Sequence, residues 1–294
     1  MMPLSESMRL PLPFRPRPKP QPASAAELRV TAVIALHDDA AYGDLCFRNM
    51  AEQGVQAIVI ENDALPETRA IIDAWAARGL VREVLNLPFA GCMDWSALLA
   101  RKQEVINTRD SDWFILWDSD ERREPPEGHA TLRDALFAAG RDGYDTVGFD
   151  EFVFVPCTPE EDYVGRDYHA EMTRYYFFQP RKQQRLNAFR KLDRPIDLTK
   201  GAGHEVRFRG QRIWPHNCPM RHYLFLSEAH GRQKYGRRKI SETDRRRGWM
   251  IERANTTEAS FRLPSPSDLI DKGQGWDRSR PLRQHPCFVY APSP

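Results

Sequence analysis

WFILWDSDER, residues 113–122, carries five apolar side chains in succession and then Asp118, Asp120 and Glu121 within four positions. An uninterrupted apolar run of this length, closed by a polar turn, has the pattern of a strand covered on both faces, as in a parallel sheet. The acids then stand just beyond its carboxyl end. Open α/β sheets bind their ligands at that end, so the assignment of this strand decides both the fold and the place to look for a site.

Three earlier units repeat the pattern. VTAVIAL (30–36) and VQAIVIE (55–61) are buried-strand runs separated by AAYGDLCFRNMAEQG, whose Gly54 suits a helix C-terminus. LPETRAIIDAWAARG has Pro66 in its first turn, a face made by Ile71, Ile72 and Trp75, and Gly79 as a stop. VREVLNL reads as a third short strand. Asp94 caps a following helix whose Trp95, Leu98, Leu99, Val105 and Ile106 form one stripe. WFILW is therefore the fourth strand of an alternating series. Polar groups follow the first two strands as well: His37, Asp38 and Asp39, then Glu61, Asn62 and Asp63.

Composition excludes some classes. With 43 basic and 41 acidic side chains in 294 residues, the net charge of +2 gives no global reason to expect a nucleic-acid or membrane partner. No stretch has the roughly 20 apolar residues that span a bilayer, and the start lacks the apolar core of a secretory signal, so a cytoplasmic location is expected. Five cysteines, odd in number and widely spaced, fit reduced thiols. Prolines at 11, 13, 16, 18, 20 and 22 predict an extended, disordered leader over residues 1–28.

Neither a GxGxxG turn nor a GxxxxGK[ST] loop follows the first strand, so both common phosphate cradles are absent. Carboxylates at i and i+2 after a strand offer another device: together they chelate a hard divalent cation whose remaining positions accept diphosphate oxygens.

Taken together, VTAVIAL with HDD, VQAIVIEND and ILWDSDE resemble the GT-A fold of family 2-like glycosyltransferases, ILWDSDE standing where that family has its DxD motif. The resemblance covers residues 29–240, leaving 241–294 as a C-terminal helix and Pro-containing tail. It implies a mostly parallel, Rossmann-like α/β sheet flanked by helices, with an acceptor-side C-terminal region. It also implies transfer of a sugar from a nucleotide diphosphate sugar to an acceptor nucleophile, supported by Mn²⁺ or Mg²⁺. Residue by residue, Asp120 and Asp118 are the implied metal ligands, with Asp118 also near the ribose, while Asp39 and Asp63 face the nucleoside. The longer acidic pattern common after the second strand is replaced here by ENDALPET. A late histidine that completes the metal shell is implied at His222.

The second half supplies the rest of the candidate set. Nine basic residues against three acids lie between Arg232 and Arg253, and Lys234 and Arg238, four apart, are placed to face a diphosphate together. Glu151 in DEFVF, and His204 with Glu205 in TKGAGHEVRFRG, are candidates for taking the acceptor's proton. His216, Cys218 and His222 lack a fourth ligand at zinc spacing. Two other functions use the same residues: a haloacid-dehalogenase-like phosphatase, with Asp118 as nucleophile and Asp120 as general acid, and a nucleotide-binding module without chemistry.

Overall fold

The computed structural model describes residues 18–181, 185–199, 203, 205–273 and 275–290. His204 and residues 1–17 of the leader lie outside them. The first four strands form as their apolar runs require: β1 (Val30–Leu36), β2 (Gln56–Glu61), β3 (Val81–Asn86) and β4 (Trp113–Leu116). They lie side by side in the order β3-β2-β1-β4, all parallel. β9 (Ala188–Arg190) extends the sheet antiparallel to β4, and β6 (Thr146–Val147) follows antiparallel to β9. The result is a mixed α/β molecule with a mostly parallel central sheet flanked by helices.

Alternate residues of each strand point to opposite faces, and both faces are apolar. Val30, Ala32, Ile34 and Leu36 of β1 pack with Cys46, Phe47 and Met50 of α1 (Ala40–Glu52), Ile72 and Trp75 of α2 (Pro66–Ala77), and Leu132 and Leu136 of α4 (Leu132–Arg141). Val33 of β1, Ile58 and Ile60 of β2, and Phe114 of β4 meet the stripe of Trp95, Leu98, Leu99, Val105 and Ile106 on α3 (Trp95–Thr108). Local signals place the helix ends. Asp94 accepts the Ala97 amide at 2.9 Å, and Gly54, at φ 69°, takes the left-handed turn after α1.

Immediately after β4 the chain crosses into a second, five-stranded sheet. Residues 118–120 form the turn, and Glu121–Arg123 is already β5 of that sheet, in the order β11-β8-β7-β10-β5. Its other strands are β7 (Phe149–Phe154), β8 (Arg174–Phe178), β10 (Cys218–Tyr223) and β11 (Ile270–Asp271). The D-S-D turn is thus the hinge between the two sheets. The short helices α5 (Tyr168–Glu171), α6 (Glu228–Gly236) and α8 (Ile251–Asn255) belong to this half, while α7 (Glu242–Arg246) returns to pack on α3.

Both ends of the described chain are attached to these layers. In the leader, the Lys19 amide donates to Lys191 O at 3.1 Å and Gln21 Nε2 to Phe137 O at 2.6 Å. Toward the other end, Trp276 stacks on Phe152 of β7 with ring centroids 4.2 Å apart, and His285 on Phe178 at 3.8 Å. No helix among the described residues is long and apolar enough to cross a membrane.

Candidate functional site

The ends of β1 and β4 meet through one hydrogen bond: Ser119 Oγ donates to Asp39 Oδ1 at 2.5 Å. Asp39 also accepts the His37 amide at 2.7 Å, and burial raises the pKa of its carboxyl despite the lowering effect of Ser119. Asp63, beyond β2, is turned elsewhere. It has a left-handed backbone (φ 46°), and its carboxylate accepts the Phe89 amide at 2.8 Å. The two acids expected at the nucleoside therefore occupy the same edge of the sheet, but only Asp39 touches the D-S-D turn.

Each acid of the turn has a buried ammonium. Lys102 Nζ, on α3 and 3% exposed, donates to Asp118 Oδ1 at 3.1 Å, while the Asp118 carboxylate is 40% exposed. Lys234 Nζ, on α6, donates to Asp120 Oδ2 at 2.9 Å and to the carbonyl of Leu224, also at 2.9 Å. The Tyr42 hydroxyl lies 3.1 Å from both Lys234 Nζ and that carbonyl. Burial works to raise the pKa of Asp120, but Lys234 and His222 outweigh it and hold the carboxyl well below its usual range. Asp118 is lowered too, with Lys102 opposing burial.

His222 lies in the middle strand region of the second sheet, opposite Glu121 in β5. Both its ring nitrogens face carboxylates: Nδ1 is 2.6 Å from Glu151 Oε1 and Nε2 is 3.5 Å from Asp120 Oδ2. Burial alone would lower its pKa, yet Asp120 and Glu151 push it up to about 10, so the charged ring is favoured between these two carboxylates. Among the described residues no three His, Cys, Asp or Glu side chains form a group suited to hold a metal ion.

Glu151 is buried under a two-pronged bond from Arg185, with Nε at 2.8 Å and Nη2 at 2.7 Å. Burial favours its neutral form, but Arg185 and His222 hold it well below the usual carboxylate range. Arg185 Nη1 is 3.6 Å from Glu121, and Glu121 in turn binds Arg123 at 2.5 Å. Charges of alternating sign, buried from Arg123 to His222 and half-buried at the end, thus run Arg123, Glu121, Arg185, Glu151, His222, Asp120, Lys234. Glu151 and Arg185 also wall a cavity of about 260 Å³ together with Asp150, Phe177, Trp214 and Asn217.

The remaining candidates are separate from this chain of charges. Glu205 is bonded by Arg207 Nε at 2.9 Å and approached by Arg181 at 3.6 Å. Arg238 lies just past the end of α6, with its guanidinium 5.5 Å from the centre of the Tyr235 ring, the same ring that Lys234 Nζ approaches at 5.4 Å.

Lys102, Arg185 and Arg123 are absent from the set expected from sequence. Lys102 left a signal there: it lies four residues after Leu98 and three before Val105, squarely on the apolar stripe of α3. Arg185 left none, because its partner Glu151 is 34 residues away.

The sequence matches no family model, and no curated protein matches it. Solved structures with a similar course include TarS from S. aureus, at a TM-score of 0.40 and 9% identity over 67% of this chain and 37% of that one. A second is TarS 1-349 in complex with UDP, at a TM-score of 0.34 and 10% identity over 56% of this chain and 47% of that one. A third is the mannosyltransferase PcManGT from Pyrobaculum calidifontis in complex with GDP-Man and Mn²⁺, at a TM-score of 0.31 and 16% identity over 50% of this chain and 37% of that one. The matches thus span less than half the length of these proteins, and likenesses of this degree assign neither family nor activity.

Proposed function

We propose that this chain is a GT-A-type glycosyltransferase, whose transferase domain is residues 29–240 and which moves a sugar from a nucleotide diphosphate sugar to an acceptor nucleophile at the turn Asp118-Ser119-Asp120. The observation that carries this is the bond from Ser119 to Asp39, which draws the ends of β1 and β4 into one crevice at the carboxyl edge of the sheet. Lys234 enters the same crevice from α6. Departure of a nucleoside diphosphate builds negative charge on its oxygens, and Lys234 is a fixed cation already positioned to meet it.

Asp118 and Asp120 fit Mn²⁺ or Mg²⁺ by their chemistry, since such ions are held by one or two carboxylates together with phosphate oxygens. An ion held there would add positive charge against the leaving diphosphate. Asp118, the more exposed acid, is the open side of that pair. His222 acts from behind, holding Asp120 ionised. Glu151 acts one step further back and holds His222, so its carboxylate is committed to Arg185 and the imidazolium rather than to an acceptor. We assign the acceptor's proton to Glu205, the one described acid of the acceptor-side set outside this network.

The phosphatase alternative asks Asp120 to arrive protonated as a general acid. Lys234 and His222 favour the opposite state. The test is calorimetric titration of UDP-, GDP- and dTDP-sugars with Mn²⁺ or with EDTA, for the wild type and for Asp120→Asn. The wild type should bind one class of donor and release its nucleoside diphosphate, and Asp120→Asn should lose about 10²- to 10³-fold in release. A wild type that binds none of them with either addition overturns the proposal.

A further inference from the structure

Arg253, on α8, takes no part in the network around Asp118 and Asp120, yet it lies one side chain away from it. Its guanidinium sits 5.7 Å from the ring centres of both Tyr235 and Phe288. The Tyr235 hydroxyl donates to Leu224 O at 3.1 Å, the carbonyl that also receives Lys234 Nζ. Arg253, Tyr235, Lys234 and Asp120 are therefore successive neighbours along one line into the crevice.

Each cation of the charge network around Asp118 and Asp120 has an acid. Lys102 has Asp118, Lys234 has Asp120, Arg185 has Glu151 and Arg123 has Glu121. Among the described residues no carboxylate pairs with Arg253, and its buried Nε has no hydrogen-bond partner. An Nε–H buried without an acceptor is costly, and an aromatic clamp recovers only part of that cost. The backbone is also bent to bring it there. Gly248 (φ 71°) and Met250 (φ 55°) are both left-handed, Met250 being one of two non-glycine residues with positive φ among those described. Trp249 and Met250 pack on the α3 face of the core, and the chain then turns so that α8 lies against α6. A half-buried guanidinium with an unpartnered Nε, set across the Tyr235 ring from the Lys234 ammonium, has the features of a ligand contact.

We propose that Arg253 binds a phosphate oxyanion of the donor's diphosphate, beside Lys234. This rests on the donor reading given under Proposed function. The two cations differ in kind: an ammonium neutralises as a point charge, whereas a guanidinium can hold two oxygens of one phosphate in its planar fork.

The experiment is calorimetric titration of UDP and GDP, and of uridine and guanosine, into wild type, Arg253→Lys and Arg253→Gln, with a melting curve for each. Arg253→Gln should bind the preferred nucleoside diphosphate about 10- to 100-fold more weakly while nucleoside binding stays within about twofold. Arg253→Lys should fall between, keeping the charge and losing the fork. Equal diphosphate affinity in wild type and Arg253→Gln overturns the assignment and leaves the donor reading intact. Equal weakening of nucleoside and diphosphate, or a large fall in melting temperature in both variants, marks Arg253 as structural and also overturns it. A wild type that binds no nucleoside diphosphate overturns the donor reading itself, and this assignment with it.

Discussion

The two sheets of this molecule both pack through apolar faces, but the second also buries a chain of paired charges. In the first, β1 presents Val30, Ala32, Val33, Ile34 and Leu36, each at most 3% exposed, and apolar burial does the stabilising. In the second, β5, β7 and β10 bury Arg123, Glu121, Glu151 and His222, none more than 5% exposed. An apolar core loses stability in proportion to what is cut away, whereas a buried ionic chain is stable only while each charge keeps its partner. The second arrangement suits a site, because the same chain of charges that crosses the sheet ends on Asp120.

The sharpest way to break this comparison is to remove one charge from the middle of the ionic layer. Arg123→Met leaves Glu121 buried with the Asp118 amide and the longer contact from Arg185 but no close cation, and should cost about 3–5 kcal/mol in chemical denaturation. The double variant Arg123→Met with Glu121→Met should recover part of that loss, since no charge is then stranded at that point. If the single and double variants lose stability equally, the layer behaves as ordinary packing and the contrast between the sheets fails.

A medium effect should come from pH. His169 is buried beside Tyr168 and Tyr223 and has no partner for its Nε2. Burial, reinforced by Arg122 and Arg221, lowers its pKa to about 3. The folded state therefore refuses a proton that the unfolded chain takes up near pH 6.5. Its contribution is intact above that pH and is lost as pH falls toward 3, at about 1.4 kcal/mol per unit. His222 has the opposite sign. With a folded pKa of about 10, its contribution is full below pH 6.5 and is lost as pH rises toward 10. Urea denaturation from pH 5 to 9 should give a domed stability curve for the wild type, and His169→Phe should flatten the acid side alone. An unchanged acid limb would show that His169 does not titrate as its burial implies.

What sequence makes legible follows from the same contrast. Four parallel strands and the caps at Asp94 and Gly54 stand out because apolar burial writes an uninterrupted local run, and the D-S-D turn stands out because it ends one. The second sheet hides its logic. Glu121 and Arg123 lie in an unbroken run of charged residues, Asp120–Glu124, and Glu151 follows Asp150, as residues on a solvated face do, but their side chains are covered. Arg185 and Glu151, 34 residues apart, come together only through the fold. Asp244 is more distant still: it sits in a run dense in arginine, yet its carboxylate accepts the Trp95 amide at 2.6 Å and closes the start of α3 across 149 residues. Pairwise electrostatics over such separations has no periodicity to read.

The smallest expected effect sharpens the comparison from the apolar side. Ile34 is fully buried in β1, paired in register with Val59 of β2 and packed among the side chains of α1, α2 and α4. Ile34→Val removes one methylene and leaves a small void that the layer closes only in part, so about 0.5–1.5 kcal/mol should be lost. Because no charge of the ionic chain touches it, donor affinity and the pH profile should both be unchanged. Urea denaturation and nucleotide titration of this single variant separate the two layers. A loss above 3 kcal/mol, or a shift in donor affinity of tenfold, would mean that the parallel sheet transmits packing changes into the crevice and that the two halves are one mechanical unit.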